Sequence, residues 1–145
     1  MYIDADSCPV LRQAVRLAQM YGVPATLVCD AAHCIALEGI QTIAVPSGRD
    51  AADFVLLARL QCGDLVITQD YGLAALCLSR QTEVLHPDGE WLTAENIDGR
   101  LFARYAAQKA RRAGRRTRGP KRRTRAQDAQ FIQALSQRLA RGEKR

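Results

Sequence analysis

Four aspartates in this chain have the types and spacing to do chemistry. Asp4 and Asp6, in DADSCP, are separated by one alanine at the end of the first apolar run. Asp70 follows the apolar run DLVIT, Asp64 to Thr68, by a similar offset of about two residues, and Asp53 stands in a stretch that is otherwise nearly all apolar. Carboxylate oxygens suit magnesium or manganese, which take few carboxylates and leave their other positions to water and phosphate. Any one of Asp4, Asp6 and Asp70 alone is equally well explained as a helix cap, because a carboxylate after a strand accepts N–H groups of the next helix and favours its positive end. Ser47-x-x-Asp50 reads as a capping box that accounts for Asp50 without function. On that reading Asp53 lies beyond the first turn, where a lone charge needs a crevice or a cation. The coincidence of acids predicts a divalent-metal site at Asp4, Asp6, Asp53 and Asp70.

Positioning those four acids requires short strands alternating with helices. Tyr2 and Ile3 begin a very short strand; Ser7 is a candidate cap, and Leu11, Ala14, Val15 and Ala18 follow helical spacing until Gly22-Val23-Pro24. Strands are expected at Ala25 to Cys29, Thr42 to Val45, Asp64 to Thr68 and Glu83 to Leu85, with helices from near Ser47 or Asp50 to Gly63 and from Tyr71 to Arg80. Such alternation implies parallel pairing through right-handed crossovers, hence a three-layer α/β/α sandwich with a mainly parallel sheet. In an open parallel sheet ligands sit beyond the carboxyl ends of the strands, where strand order reverses. If the first strand and DLVIT are neighbours there, Asp4, Asp6 and Asp70 converge.

The character changes after the turn His86-Pro87-Asp88-Gly89. Residues 1–92 are expected to form the α/β core and residues 93–145 a helical, arginine-rich extension packed on it. Ile97, Leu101, Phe102, Tyr105 and Ala106 form one apolar stripe, with Tyr105 expected in the core, and a last helix opens with a Thr124 and Gln127 capping box and buries Phe131, Leu135 and Leu139. Between them, residues 109–125 hold ten cations and no acid and are expected to form a loop. Residues 1–99 carry five arginines against thirteen acids, a balance of −8, so within a chain of net charge +6 the remainder carries +14. That asymmetry points to a polyanionic partner, with Arg111, Arg112, Arg115, Arg116, Arg118, Lys121, Arg122 and Arg123 as the nucleic-acid-binding candidates.

Other chemistries lack their residues. There is no G-x-G-x-x-G and no G-x-x-x-x-G-K-[ST], so a dinucleotide site or P-loop has no phosphate cradle. Five cysteines without C-x-x-C spacing argue against a disulfide framework and a zinc knuckle. A Cys8 nucleophile would be opposed by Asp4 and Asp6 beside it. No apolar run is long enough to span a bilayer and the N-terminus lacks a signal-peptide pattern, so a cytoplasmic protein without a membrane partner is expected.

DADSCP at 4–9, GRDAAD at 48–53, GDLVITQDYGLA at 63–74, HPDGEWLT at 86–93 and the Gly-Pro before the last helix together resemble the YaiI/YqxD family of uncharacterised bacterial proteins, over nearly the full length. The family looks related to the PIN/NYN-like nuclease fold. The resemblance implies a PIN-like core in which Asp4, Asp6, Asp53 and Asp70 bind magnesium or manganese for phosphodiester hydrolysis, the set that spacing also selects. The leading expectation is a metal-dependent nuclease acting on RNA. The alternative is a non-catalytic RNA- or ribosome-associated protein whose arginine-rich segment does the binding.

Overall fold

The computed structural model describes residues 1–6, 8–48, 50–116 and 122–142; the expected cap at Ser7 and the cations Arg118 and Lys121 lie outside them. The elements in chain order are β1 (Tyr2–Asp4), α1 (Leu11–Met20), β2 (Thr26–Asp30), β3 (Gln41–Val45), α2 (Ala51–Arg59), β4 (Leu65–Ile67), α3 (Tyr71–Leu78), β5 (Glu83–Leu85), β6 (Trp91–Leu92), α4 (Ile97–Arg112) and α5 (Arg125–Gly142). They build one six-stranded sheet in the order β3-β2-β1-β4-β5-β6. All pairings are parallel except β5 with β6. Chain order therefore runs outward in both directions from the β1/β4 pair, the switch point at which a doubly wound sheet opens a crevice.

Side chains on a strand point alternately to the two faces, and the strand sequences make both faces apolar. Ile3, Leu27, Leu65, Ile67 and Leu85 pack on one side against α1 and α5, which contribute Val15, Phe131, Leu135 and Leu139 among others. Val28, Val66 and Val84 point to the other side, where Leu56 of α2, Leu73 and Cys77 of α3 and Ile97 of α4 cover them. The result is the expected three-layer sandwich. β1 is only three residues long, yet it is central: it pairs with β2 and β4, Ala5 N–H donates to Val28, and the N-terminal amine donates to the Pro24 carbonyl at 3.0 Å. Asp4 and Asp6 thus hang from a strand paired on both sides despite the short run before them.

Four local expectations are corrected. The Ser47–Asp50 capping box does not form: Ser47 donates its hydroxyl to Asp30, and Asp50 occupies the N-cap position in the left-handed region (φ 60°) without a side-chain cap bond. Because α2 starts at Ala51, Asp53 lies in its first turn, where the helix dipole favours an acid. Tyr105 is not in the core; it is 61% exposed and Phe102 71%, because Ile97, Leu101 and Arg104 occupy the face of α4 turned to the body and the two rings lie off that face. The basic run is not a loop from residue 109, because α4 continues through Arg112 with Lys109, Arg111 and Arg112 in its last turn, where cations complement the carbonyl end. The short antiparallel β6 gives no periodic signal of its own. The capping box of α5 forms as read: Thr124 N–H donates to Gln127 and Gln127 N–H to the Thr124 hydroxyl.

Candidate active site

Asp4, Asp6, Asp53 and Asp70 line one cleft of about 460 Å³ at the switch point, together with Ala52, Gln69, Tyr71 and Arg104. Each acid arrives by a different backbone route. Asp4 is the last residue of β1, and Asp6 follows in the turn after it. Asp70 is the N-cap of α3, accepting from Leu73 N–H at 3.1 Å. Asp53 is presented by the first turn of α2. The neighbouring β1 and β4 bring the first pair and Asp70 together, as the matching offsets predict.

Neutral hydrogen bonds fix most of these carboxylates. Thr68, 1% exposed, donates its hydroxyl to Asp4 Oδ2 at 2.8 Å. Asp6 receives the Asp30 N–H on both oxygens, at 3.2 and 2.9 Å. Asp30 in turn accepts from Ala32 N–H and the Ser47 hydroxyl, which ties the exits of β1, β2 and β3 into one rim. Among the described residues the one cation lining the cleft is Arg104, whose Nη1 stands 3.4 Å from Asp70 Oδ1. So little positive charge leaves the acids in conflict. Burial pushes the Asp4 carboxyl up to about 6, offset in part by the Thr68 bond and raised further by Asp53, Asp6 and Asp70. Asp53 is likewise pushed up to about 6, by burial first and then by Asp70, Asp50 and Asp6.

These donors fit a hard divalent ion in chemistry, and an ion would offset the burial and the mutual repulsion that together hold two of them near 6. Among the described residues, no group of three or more His, Cys, Asp or Glu side chains is placed to hold a metal ion by itself. A magnesium-type ion does not need one, since it takes one or two carboxylates directly and keeps several waters.

A second cleft of about 790 Å³ adjoins the first and shares Asp6 and Gln69 with it, so the acids lie in a continuous groove rather than a closed cage. Cys8 lines this second cleft, but burial pushes its thiol up to about 11, which leaves no thiolate nucleophile at neutral pH. Among the predicted cations, Arg111, Arg112, Arg115, Arg116 and Arg122 are exposed. Arg123 is engaged within the chain, paired with Asp128 at 2.6 Å and donating to the Pro87 carbonyl. Two residues that spacing did not select complete the cleft. Thr68 was visible only as the end of an apolar strand. Arg104 lies seven residues before Arg111, nearly two helical turns, and so shares its side of α4; that register is readable, but its target is not.

Comparison with known proteins agrees with the motifs. The family model described as "Uncharacterized BCR, YaiI/YqxD family" matches residues 2–141. A UPF0178 protein of Exiguobacterium sibiricum is 48% identical over 139 residues, covering 96% of this chain and 95% of that protein. Relatives of the same description in Clostridium acetobutylicum (38% identical; 99% and 98% of the two chains) and Bacillus thuringiensis subsp. konkukian (44%; 93% and 94%) align at similar extent. No solved structure matches the chain at a significant level. A match running from Tyr2 to Arg141 takes in every strand, the four cleft acids and both C-terminal helices, and the chain belongs to the YaiI/YqxD family.

Proposed function

We propose that the protein is a divalent-metal-dependent nuclease acting on RNA, with a PIN-like core. The observation that carries this reading is the convergence of Asp4, Asp6, Asp53 and Asp70 on one open cleft at the sheet's switch point, with Arg104 as the cation among them. Magnesium or manganese held by these acids would supply an activated water and neutralise charge on the scissile phosphate. The chain's own groups do the rest. Thr68 orients Asp4, the Asp30 N–H orients Asp6, and the α3 N-terminus orients Asp70. Arg104 offers the phosphate a guanidinium, and the exposed cations around Arg111 to Arg116 hold the strand by salt-dependent contacts. Five free cysteines fit a reducing, cytoplasmic setting, and no helix among the described residues is long and apolar enough to cross a membrane.

One observation favours a second reading, a non-catalytic RNA- or ribosome-associated protein: Asp4, Asp6 and Asp70 each already make a bond that holds the fold. Cleavage of a labelled RNA with and without manganese separates the two. The nuclease reading requires manganese-dependent cutting that Asp70→Asn abolishes, together with a manganese-induced rise in melting temperature. Intact RNA and an unmoved melting temperature would leave only the binding protein.

A further inference from the structure

We propose that α4 carries a track for single-stranded nucleic acid that leaves the acidic cleft beside Arg104, with Phe102 and Tyr105 as stacking platforms for bases. This rests on the reading of the cleft as the place where a phosphodiester is held. Three observations meet on this helix. Phe102 and Tyr105 are 71% and 61% exposed, and a spacing of three residues places them side by side on its surface. Arg104, between them in sequence, reaches the cleft that the four aspartates line. From Gly99 to Arg116 the chain has no acid, so beyond Asp98, one turn before Phe102, the only charges on the helix are cations.

Those facts select the occupant. A second copy of this face would set like charges against like, and a fold-back onto the core is excluded because the rings already stand clear of it. A polyanion answers the arginines, but a duplex would leave the rings idle, since its bases are stacked on one another and hidden behind the backbone. An unpaired strand supplies both components at once, phosphates for Arg104 and its neighbours and open base faces for Phe102 and Tyr105.

The test is fluorescence anisotropy in EDTA, where no cutting can occur, with a short unstructured RNA and a duplex of equal length. The wild-type chain binds the single strand more tightly. Phe102→Ala and Tyr105→Ala each weaken single-strand binding about tenfold, while leaving duplex affinity, the salt slope and the melting temperature unchanged. Arg104→Ala instead lowers the salt slope by roughly one phosphate contact. Equal affinity for the two RNAs, or aromatic variants that bind like wild type, overturns the track. So does sedimentation showing a dimer that Phe102→Ala and Tyr105→Ala dissociate. A chain that binds as described yet cuts nothing with manganese keeps the track and loses the nuclease reading. Manganese-dependent cutting with binding indifferent to both rings does the reverse.

Discussion

The hydroxyl of Thr68 joins two carboxylate-bearing segments: it donates to Asp4 Oδ2 at 2.8 Å and accepts from the Asp70 N–H at 3.1 Å. A buried hydroxyl used in both directions locks the end of β1 to the turn before α3, so the separation of two cleft acids is set by a residue that is itself neutral. Small displacements of such supporting groups are felt at the acids they orient.

Thr68→Val keeps the shape and removes the hydroxyl, leaving a buried carboxylate oxygen and a peptide N–H without their partner. The expected loss is about 1–3 kcal/mol, a fall of roughly 3–10 °C in thermal unfolding, with manganese affinity lowered about tenfold or more. Thr68→Ser restores both. A valine variant that melts and binds manganese like wild type would show that the bridge does not position the site.

Asp4 and Asp53, held near 6 against an ordinary 3.8, bind protons more tightly in the fold than in the unfolded chain. Their contribution to stability is therefore complete below about pH 4 and is lost as pH rises through about 6. The metal-free protein is expected to melt higher at about pH 5 than above pH 7, a difference that manganese shrinks. Asp53→Asn and Asp4→Asn should flatten the profile and raise the melting temperature above pH 7 by a few degrees, about 1 kcal/mol each after solvent screening, while reducing manganese binding. Stabilisation by losing an acid is the mark of a functional rather than structural charge. Variants that melt lower than wild type above pH 7 contradict it.

The sandwich was legible because its signals are local and redundant: β-branched runs such as LVIT, helical spacing through Leu11, Ala14 and Val15, and stops at Gly22 and Gly63 all agree. Asp4, Asp6 and Asp70 were legible for a related reason, since an acid just past a strand is already at the edge where a parallel sheet binds. What failed was long-range. Ser47 has the type and spacing of a cap, but the nearness of β2 and β3 offers its hydroxyl to Asp30 instead. Tyr105 fits an apolar stripe, and nothing in the periodicity says which side of that wide stripe turns to the body. Arg104 finds Asp70 across thirty-four residues, a contact that only the packing of α4 on α3 creates.

The Arg104–Asp70 pair is single, 3.4 Å long and about half exposed on both sides, so it adds little to stability. Arg104→Met is expected to shift unfolding by less than about 1 kcal/mol. With the competing cation gone, the free protein should take up manganese several-fold more tightly, as read by the metal dependence of its melting temperature. The same variant should bind RNA more weakly. Manganese affinity that falls in Arg104→Met would mean that the guanidinium supports the site instead of standing in for a cation.

Gly89 decides whether the C-terminal helix stays on the body. It turns the chain between β5 and β6 at φ 93°, and a Cβ there would lie 2.6 Å from the Gln130 carbonyl carbon and 2.8 Å from the Phe131 nitrogen, both backbone atoms of α5. Neither the strained backbone nor the helix can yield cheaply, because Phe131, Leu135 and Leu139 are fully engaged against α1 and the sheet. Arg123 grips the same turn through the Pro87 carbonyl, so the segment that follows α4 is moored where α5 begins. Gly89→Ala should therefore destabilise by about 2–4 kcal/mol and increase proteolysis between α4 and α5, whereas Gly99→Ala, with open space around its Cβ, should not. The cleft acids lie on other elements, so manganese binding at low temperature should survive in Gly89→Ala; its loss would mean that the docking of α5 reaches the site through β5 and β4.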